Sequence, residues 1–402
     1  WTSGTFTATL TAAATLGAGF NVWIWNNAGA AGSTNIITID PNASETIDGL
    51  DTLLLRRGEG TQIVCNGTNW ETGAKKTMRG YADNIPPAEL RPIASGNCAL
   101  ALGRNATASG VGSFAWNYGS VSSADYTIAI GAGTKAAGQY SVALGGNSIA
   151  TAATTASPGT GAVALGSSYA NGADSFATNI SNITNTYGAQ GTNSIAMGYH
   201  GKATGHYSIA LSTGSASESA VASGQSSIMI GQGAASGQGS SCLGISVFSE
   251  NYGKTALCGN TYSSTGQSEG QLGMMSIMAI TTDATPTQLR AANQNLTALW
   301  LPTLYNNSAV YFKGTIVARR KAAEGTASAA WTIEGLIRRE GTAASTTMVT
   351  STVTAVSNVP AWTIAVSADT TIGAINVTFT GAAATNIRVL CNLQMTELNN
   401  YA

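Results

Sequence analysis

A five-residue phrase that recurs between Ala99 and Gly273 constrains this chain more than any other feature of its sequence. Its clearest copy reads Ser-Val-Ala-Leu-Gly, at residues 141–145. Most neighbouring copies end 14 residues apart, and steps of 13, 19 or 21 interrupt the series. Self-similarity at a fixed short period predicts a solenoid of stacked units. The other copies end at Gly103, Asn117, Gly131, Gly166, Asn179, Gly198, Ser212, Gly231, Ile245, Gly259 and Gly273.

The residues within one period indicate which kind of solenoid forms. From Val142 to Leu144, large apolar side chains alternate with a small one, which is typical of a strand with one buried face. A weaker alternation follows each phrase, as at Ala106, Ala108 and Gly110. We therefore expect two short strands and two tight turns per rung, with small interior side chains. Because such a rung buries little apolar area, association about a symmetry axis is favoured.

The phrase and its spacing resemble the head repeats of the trimeric autotransporter adhesins, the YadA-like family. The resemblance spans residues 98–273 and implies a left-handed parallel β-roll in each chain of a homotrimer. The sequence departs from the family pattern where Asn117, Asn179, Ser212 and Ile245 replace the turn glycine. Insertions at residues 151–161, 182–191 and 213–226 are expected to bulge as surface loops.

Composition excludes several classes of protein. Only 9% of residues are charged, and the net charge of -1 with a pI near 6.2 argues against nucleic acid or an anionic membrane as a partner. No apolar run is long enough to span a membrane, so we expect no membrane insertion. Because the chain starts at Trp1 instead of Met, we expect a trimmed or partial start, and the lack of a visible signal peptide carries little weight.

The five cysteines show neither paired nor metal-ligand spacing. Cys242 and Cys258 are expected to face the interior of neighbouring rungs, where a small apolar side chain fits. We therefore interpret the cysteines as buried free thiols, which favours assembly in a reducing cytosol over secretion. This interpretation weighs against a bacterial surface adhesin. The five are Cys65, Cys98, Cys242, Cys258 and Cys391.

Residues 1–83 are predicted to form a separate β domain, with hairpin turns at Asp48-Gly49 and Asn66-Gly67. It resembles a small β domain of bacteriophage tail fibres and tailspikes, through residues 17–20, 37–41 with 45–49, and 66–70. The resemblance implies a position towards the virion, in contact with other tail or baseplate proteins. Strands are predicted at Phe6–Leu10, Phe20–Trp25, Ile36–Ile39, Thr52–Leu55 and Thr61–Val64.

Residues 84–97 are predicted to be a linker, because Pro86, Pro87 and Pro92 interrupt regular hydrogen bonding. Residues 274–402 lose the period and are predicted to form an antiparallel β-sandwich that caps the roll. This part resembles C-terminal domains of phage tail fibres, through residues 318–320, 331–339 and 362–371, and is the candidate receptor-binding domain. Its strands are predicted at Val310–Arg319, Ala329–Arg338, Thr346–Val353, Trp362–Val366, Ala374–Thr380 and Ile387–Thr396.

Three groups of side chains have both a chemical and a plainer interpretation. Residues 266–270 match the nucleophile-elbow pattern, but they lie in a turn of the roll without the strand, turn and helix that this pattern needs. His200 and His206 can form rings of three that suit an ion in a trimer, yet no carboxylate or Cys accompanies them at ligand spacing, which favours surface imidazoles. The densest carboxylates lie among turn residues, which favours solvation over a glycosidase pair; they are Asp40, Glu45, Asp48 and Asp51.

Aromatic side chains in turns and loops are candidates for gripping a sugar or a protein receptor, because rigid rings give contact area at low entropic cost. Packing against neighbouring residues is the plainer interpretation for most of them. The receptor-binding residues themselves stay unknown at this stage, and no catalytic, metal or cofactor residue is predicted. The aromatic candidates are Tyr199, Tyr207, Tyr252 and Tyr262 on the roll, with Trp300 and Tyr305 on the cap.

These observations predict an all-β, elongated homotrimer with an N-terminal β domain, a β-roll and a C-terminal sandwich. The predicted function is that of a bacteriophage tail fibre or receptor-binding protein, a structural virion component without catalysis that is assembled in the host cytoplasm. It would adhere to surface polysaccharide or an outer-membrane protein of the bacterial host. Two alternatives stay open: a fragment of a trimeric autotransporter adhesin, and a tailspike that degrades polysaccharide.

Overall fold

The computed structural model describes most of the chain in two compact units, residues 1–81 and 82–402. No helix in the described part of the chain is long and apolar enough to cross a membrane. The described residues are 5–26, 36–56, 59–75, 80–81, 92–146, 149–150, 161–181, 186–213, 219–260, 269–291, 300–321, 323 and 325–399.

The first unit contains two three-stranded sheets. Strand β3 pairs parallel with β1 and antiparallel with β4, while β5 lies between β2 and β6 in antiparallel pairing. All five predicted strands are confirmed, each within one residue at both ends. The elements are β1 (Thr5–Thr9), helix α1 (Ala13–Leu16), β2 (Asn21–Trp25), β3 (Ile36–Asp40), β4 (Leu53–Arg56), β5 (Gly60–Cys65), β6 (Trp70–Lys75) and β7 (Gly80–Tyr81).

Both predicted turns of this unit are confirmed. Asp48 and Gly49 adopt left-handed φ angles of 51° and 78°, and the backbones of Ile47 and Leu50 exchange hydrogen bonds of 2.8 and 2.9 Å across the turn. Residues 66–69 connect β5 to β6, with the Asn66 side chain accepting backbone N–H groups of the same turn. The turns close the strands around a core centred on the buried Trp70 and Ile47.

The second unit begins with a parallel β-roll. Each strand pairs with the strand two places along, so that long and short strands form separate ladders. Phe114, for example, is in register with Leu100 and with Ile128, 14 positions away on either side. The first strands are β8 (Ile93–Ala94), β9 (Leu100–Leu102), β10 (Thr107–Ala108), β11 (Phe114–Trp116), β12 (Val121–Ser122), β13 (Ile128–Ile130), β14 (Lys135–Ala136), β15 (Val142–Leu144), β16 (Ile149–Ala150), β17 (Val163–Leu165) and β18 (Tyr169–Ala170).

The later rungs contain longer strands. Strands β25 and β26 pair along both ladders at once, because each continues through the turn that separates two strands in earlier rungs. These strands are β19 (Phe176–Thr178), β20 (Gly188–Ala189), β21 (Ile195–Met197), β22 (Lys202–Ala203), β23 (Ile209–Ser212), β24 (Ala220–Ala222), β25 (Ile228–Ala235), β26 (Ser241–Ser249) and β27 (Thr255–Asn260).

The interior of the roll consists of small side chains, as predicted. The centre of most phrases is a fully buried alanine, as at Ala129 and Ala143, while the buried Met229 and Cys242 take its place in two later rungs. A buried Ser or Thr begins most phrases. Hydroxyl groups such as that of Ser208 donate to a carbonyl oxygen of their own turn, here Gly205 at 2.6 Å. Rungs this thin bring backbones very close together, and a Cβ built at Gly205 would overlap the carbonyl oxygen of Gly224. This close approach explains the glycine that recurs in the turn before most phrases.

Two details of the predicted repeat were wrong. Gly231 pairs with Gly244 and not with Ile245, because a bulge between Gly231 and Gly233 absorbs a one-residue shift. The copy predicted to end at Gly273 belongs instead to β28 (Gly270–Thr281), which pairs antiparallel with β27 and ends the parallel stack. Of the predicted loops and linker, residues 84–91, 151–160, 182–185 and 214–218 lie outside the described residues. The predicted bounds of two loops, 182–191 and 213–226, were also too wide, because β20 and β24 lie within them and pair with neighbouring rungs as part of the short-strand ladder.

An antiparallel sandwich completes the second unit, and all six of its predicted strands are confirmed. One sheet has the order β28-β35-β30-β31-β32, and the smaller sheet has the order β29-β34-β33. Between them, the rings of Trp331 and Trp362 pack edge-on against Phe379. The remaining elements are β29 (Thr287–Gln288), β30 (Ser308–Arg320), β31 (Ser328–Arg339), a 3-10 turn (Ala343–Ser345), β32 (Thr347–Ser357), β33 (Thr363–Asp369), β34 (Ala374–Thr380) and β35 (Ile387–Asn399).

Candidate receptor-binding surface

The large apolar side chains of the phrase lie on the outside of the roll. They flank each buried alanine and align from rung to rung, as Val142 does with Ile128 and Val163. Several are strongly exposed, including Trp116 at 53% and Met197 at 39%. We name this surface the outer stripe, defined by the first and third residues of strands β9, β11, β13, β15, β17, β19, β21 and β23. A contiguous apolar surface of this length marks an interaction site.

A second row of side chains follows the turn before the phrase. The residue immediately before the first position of the phrase, which is Ser or Thr in most copies, adopts a left-handed φ in rung after rung, and we name this row the corner column. Most of its members are small or polar, whereas Tyr126, Tyr140 and Tyr207 carry large rings at φ angles of 56°, 57° and 58°. The other members are Cys98, Gly112, Gly161, Asp174, Asn193, Ser226, Gly239 and Gly253.

Two of the corner tyrosines form a flat aromatic stack. The ring centroids of Tyr126 and Tyr140 are 5.3 Å apart, and the ring planes differ by 6°. On the preceding rung, a Cβ built at Gly112 would lie 3.1 Å from the Tyr126 ring, so that glycine leaves room for the ring to lie flat. Both rings stay about half exposed, at 53% and 52%.

The backbone beneath the stack is fixed by the parallel ladder. The Tyr126 N–H donates to the Val111 carbonyl oxygen at 2.7 Å, and the Tyr140 N–H donates to the Asp125 backbone carbonyl oxygen at 3.1 Å. The Asp125 carboxylate in turn accepts the Val111 N–H at 2.8 Å. Gln139 occupies the same place before Tyr140 that Asp125 occupies before Tyr126. A carboxylate residue and a carboxamide residue therefore directly precede the two stacked tyrosines in the chain, one rung apart.

The opposite turns of the roll also carry aromatic groups. The Arg104 guanidinium lies 5.7 Å from the centre of the Tyr118 ring. His200 is sandwiched between Tyr187 and Tyr199, with ring centroids at 4.2 and 3.9 Å. The imidazole of His200 is therefore part of an aromatic stack. The sequence favoured a free surface imidazole, and that interpretation was wrong for His200.

The remaining histidine and the metal hypothesis have separate outcomes. His206 is exposed and lies in the turn after β22, which agrees with the surface imidazole that the sequence favours. Among the residues that the structure describes, no three His, Cys, Asp or Glu side chains form a group that can hold a metal ion. The three-fold ring of histidines requires further copies of the chain and stays a hypothesis.

The carboxylates of the first unit serve its turns. Glu45 accepts the Ala13 N–H at 2.8 Å and the Trp70 indole N–H at 3.1 Å. Asp48 accepts both the backbone N–H and the hydroxyl of Thr72, at 3.0 and 2.6 Å. These contacts fix local structure and do not resemble a pair of carboxyls across a cleft. Of the two other carboxylates in the predicted group, Asp40 is half-buried and Asp51 is exposed.

The predicted nucleophile-elbow pattern is only partly described. Residues 266–268 lie outside the described residues, and Tyr262 of the aromatic candidates lies there as well. Glu269 is buried where β28 begins.

The aromatic candidates near the cap pack against one another. Tyr252 stacks on Trp300 with centroids 4.4 Å apart, and the Tyr305 ring lies 5.9 Å from the Lys254 ammonium group. Tyr199 and Tyr207 are the exposed members of the predicted set.

A buried ion pair joins the roll to the cap. Lys254 occupies the place that Ser or Thr holds in other rungs, and its ammonium group lies 2.6 and 2.8 Å from the two oxygens of Glu397. The Gln271 amide donates to Glu397 at 2.8 Å and also bonds the Phe248 backbone. The side chains of Lys254 and Glu397 are only 2% and 4% exposed. A Lys in a Ser column was the sequence signal that had been missed.

The free thiols are mostly buried, as predicted. Burial raises the pKa of Cys242 to about 12, and burial likewise raises the pKa of Cys391 to about 12, so both stay protonated at neutral pH. Cys65 is buried as well, but Cys98 is exposed at a left-handed corner, so the prediction was wrong there. Cys242 is in register with Ala256 and not with Cys258, whose side chain lies outside the described part of the chain.

The Tyr126–Tyr140 stack is the feature of this surface that sequence analysis missed. The three corner tyrosines share one phase of the repeat, immediately before its Ser or Thr, and two of them are 14 residues apart. Aligning the copies by phase would have set them beside one another, whereas scanning for isolated aromatic residues did not.

Comparison with known proteins agrees with the repeat geometry. The YadA head domain repeat matches residues 94–115, 118–134, 122–148, 136–168 and 189–211. No curated protein matches the chain. Among solved structures, the tailspike protein gp49 of Acinetobacter baumannii bacteriophage Fri1, a capsular polysaccharide depolymerase, is similar at 10% identity with a TM-score of 0.20. That likeness covers 70% of this chain and 50% of the tailspike chain, so the chain spans half the length of that protein. The chain thus contains YadA-type head repeats, which form the parallel roll that carries the outer stripe and the corner column.

Proposed function

We propose that this chain is a homotrimeric attachment protein of a bacteriophage tail, which adheres to the surface of the bacterial host without chemistry. The observation that carries the proposal is the YadA-type head roll with its exposed outer stripe. Head repeats of this kind belong to adhesins, and an adhesive role requires a rigid, exposed scaffold more than a cleft.

The outer stripe supports the trimer. The roll interior holds mostly Ala, Ser and Thr, so many of the large apolar side chains of the repeat, such as Ile128 and Leu243, are left outside. Two further copies placed around a common axis would cover the stripe along its length. Three identical surfaces would also give avidity for a repetitive cell surface, even where each contact is weak.

Two features support a virion over a bacterial surface. The first unit resembles small β domains of phage tail fibres, and it would contact other tail or baseplate proteins. The buried thiols of Cys65, Cys242 and Cys391 suit assembly in the reducing cytoplasm of the host. A fragment of a trimeric autotransporter adhesin is the second candidate, because the matched repeats belong to that family.

The location of the protein separates the two candidates. Antibodies raised against the purified chain should label the tails of virions and block adsorption of the phage to host cells. Labelling of the bacterial outer membrane, with no signal on virions, would favour the adhesin. Failure of the purified protein to adsorb to host cells, while it is folded and oligomeric, would contradict attachment in either setting.

A further inference from the structure

The repeats provide an internal control for what the corner position needs. All eleven members of the corner column have a left-handed φ, between 50° and 78°. The fold therefore demands a left-handed backbone there, and Gly112, Asp174, Asn193 and Ser226 meet that demand with small or polar side chains. A bulky residue is disfavoured in this region of backbone space. Tyrosine at this position is consequently not a requirement of the roll.

The rings of Tyr126 and Tyr140 also contribute nothing to the interior. Both are about half exposed, and they rest on each other and over Gly112. A bulky side chain held in a strained backbone region, outside any core, points to a role in binding. Backbone hydrogen bonds to neighbouring rungs fix the two turns that carry the stack. A ligand that binds to the stack therefore pays little entropic cost for ordering protein groups.

Polar groups beside the stack indicate the chemistry of the ligand. Asp125 can accept two hydrogen bonds or more, and Gln139 can both donate and accept. Planar polar groups at the edge of an aromatic surface match a pyranose ring, whose C–H face stacks on aromatic rings while its hydroxyls bond to the edge. The negative charge of Asp125 disfavours an acidic sugar at the same place.

We propose that Tyr126 and Tyr140, with Asp125 and Gln139, form a binding platform for a neutral hexose of a cell-surface glycan. The proposal rests on the attachment function above and names the class of receptor. A protein receptor is the competing outcome, which the experiment below distinguishes.

Tyr207 supplies a matched control. It lies in the same corner column with the same backbone conformation and is exposed, but its column neighbours are Asn193 and Ser226. It therefore has no stacked ring in the column. Asn193 shows that asparagine fits the column, so Tyr→Asn substitutions remove the ring and keep the backbone.

The experiment probes the full-length protein on an array of neutral hexose oligosaccharides, with uronic-acid and sialylated oligosaccharides alongside. The full chain should bind neutral glycans in preference to acidic ones. The double variant Tyr126→Asn/Tyr140→Asn should bind them about tenfold more weakly, whereas Tyr207→Asn should stay within about twofold. The melting temperature of the double variant should equal or exceed that of the parent, because asparagine suits the left-handed backbone.

The proposal is overturned if the full chain binds no neutral oligosaccharide, or if the double variant binds as the parent does. Adsorption to host cells, measured in parallel, keeps this result separate from the attachment function. Unchanged adsorption of the double variant would leave attachment standing and remove the platform. Adsorption that is abolished by protease treatment of the cells, but survives periodate oxidation of their glycans, would also overturn the platform in favour of a protein receptor.

Discussion

The roll and the cap bury their side chains in opposite ways. The roll encloses columns of alanine and serine and leaves its large apolar side chains outside, whereas the cap encloses Phe312, Trp331, Trp362 and Phe379 between two sheets. The cap therefore obtains its apolar burial within one chain. The roll relies on backbone ladders and, in our account, on further copies of the chain. A repeat with a thin interior can present a long surface, but a single copy of the chain buries little apolar area for its stability.

The largest expected effect lies where these two regions meet. Lys254→Met leaves the carboxylate of Glu397 buried without its cation, which should destabilise the protein by about 3–5 kcal/mol in denaturant unfolding. The double variant Lys254→Met/Glu397→Leu should recover much of that loss, because neither charge then stays buried.

An exposed ion pair of the cap provides the control for that experiment. Lys313 and Glu334 lie 3.9 Å apart with side chains 62% and 50% exposed, so Lys313→Met should change stability by about 1 kcal/mol or less. A double variant at the junction that is no more stable than Lys254→Met would contradict the assignment.

A smaller effect is expected from the contact between rungs. Gly205→Ala places a methyl group on the carbonyl oxygen of Gly224 and should destabilise the roll by about 1–3 kcal/mol, as overpacking does. Hydrogen exchange should show the added opening in neighbouring rungs and not in the cap.

Gly119→Asn is the matched control, because nothing lies within 4 Å of a Cβ there and asparagine tolerates the φ of 63°. Equal destabilisation by the two variants would mean that backbone freedom alone, and not the close approach of rungs, demands glycine at Gly205.

The cap should be less sensitive to a change of one methyl group. Ile333→Val removes one buried methyl group from the sandwich and should cost about 0.5–1.5 kcal/mol. Adding bulk to the roll with Ala143→Val should cost about 1–3 kcal/mol, since Ala143 is fully buried and paired on both sides with Ala129 and Ala164. Thermal melts of the two variants would test the contrast between the interiors, and a larger loss for Ile333→Val would contradict it.

The smallest expected effect concerns the thiols. Because burial raises the pKa of Cys242 and Cys391 to about 12, their contribution to stability is complete below the ordinary thiol pKa of 9.0 and is lost as the pH rises towards 12.

At pH 8 a thiol reagent should modify Cys98 rapidly and leave these two unmodified until the protein unfolds, as peptide mass mapping would show. Cys98→Ser should abolish the rapid phase, and early labelling of Cys242 would contradict its burial.

The sequence carries much of the fold because its signals are local. Alternation with a period of two located the strands of the first unit and the cap, and the 14-residue step located most rungs. Alternation does not encode strand direction, which is why residues 270–273 were assigned to the roll although they begin an antiparallel strand. The one-residue shift at Gly231 arises from a bulge, which the regular step does not reveal.

The surface is less predictable because its contacts join distant residues. Lys254 and Glu397 are 143 positions apart, and no local pattern announces their pairing. The Tyr126–Tyr140 stack is different, since the phase of the repeat already places those residues side by side. Aligning equivalent positions of the repeat is therefore the way to predict most of this binding surface from the sequence.

The central claim is that further copies of the chain cover the outer stripe, and molar mass in solution tests it most directly. Light scattering of the purified chain at micromolar concentration should give three times the chain mass of 40.6 kDa. Val142→Glu, which places a charge in the middle of the stripe, should shift the mass towards one chain. A single-chain mass for the unmodified protein would contradict the account.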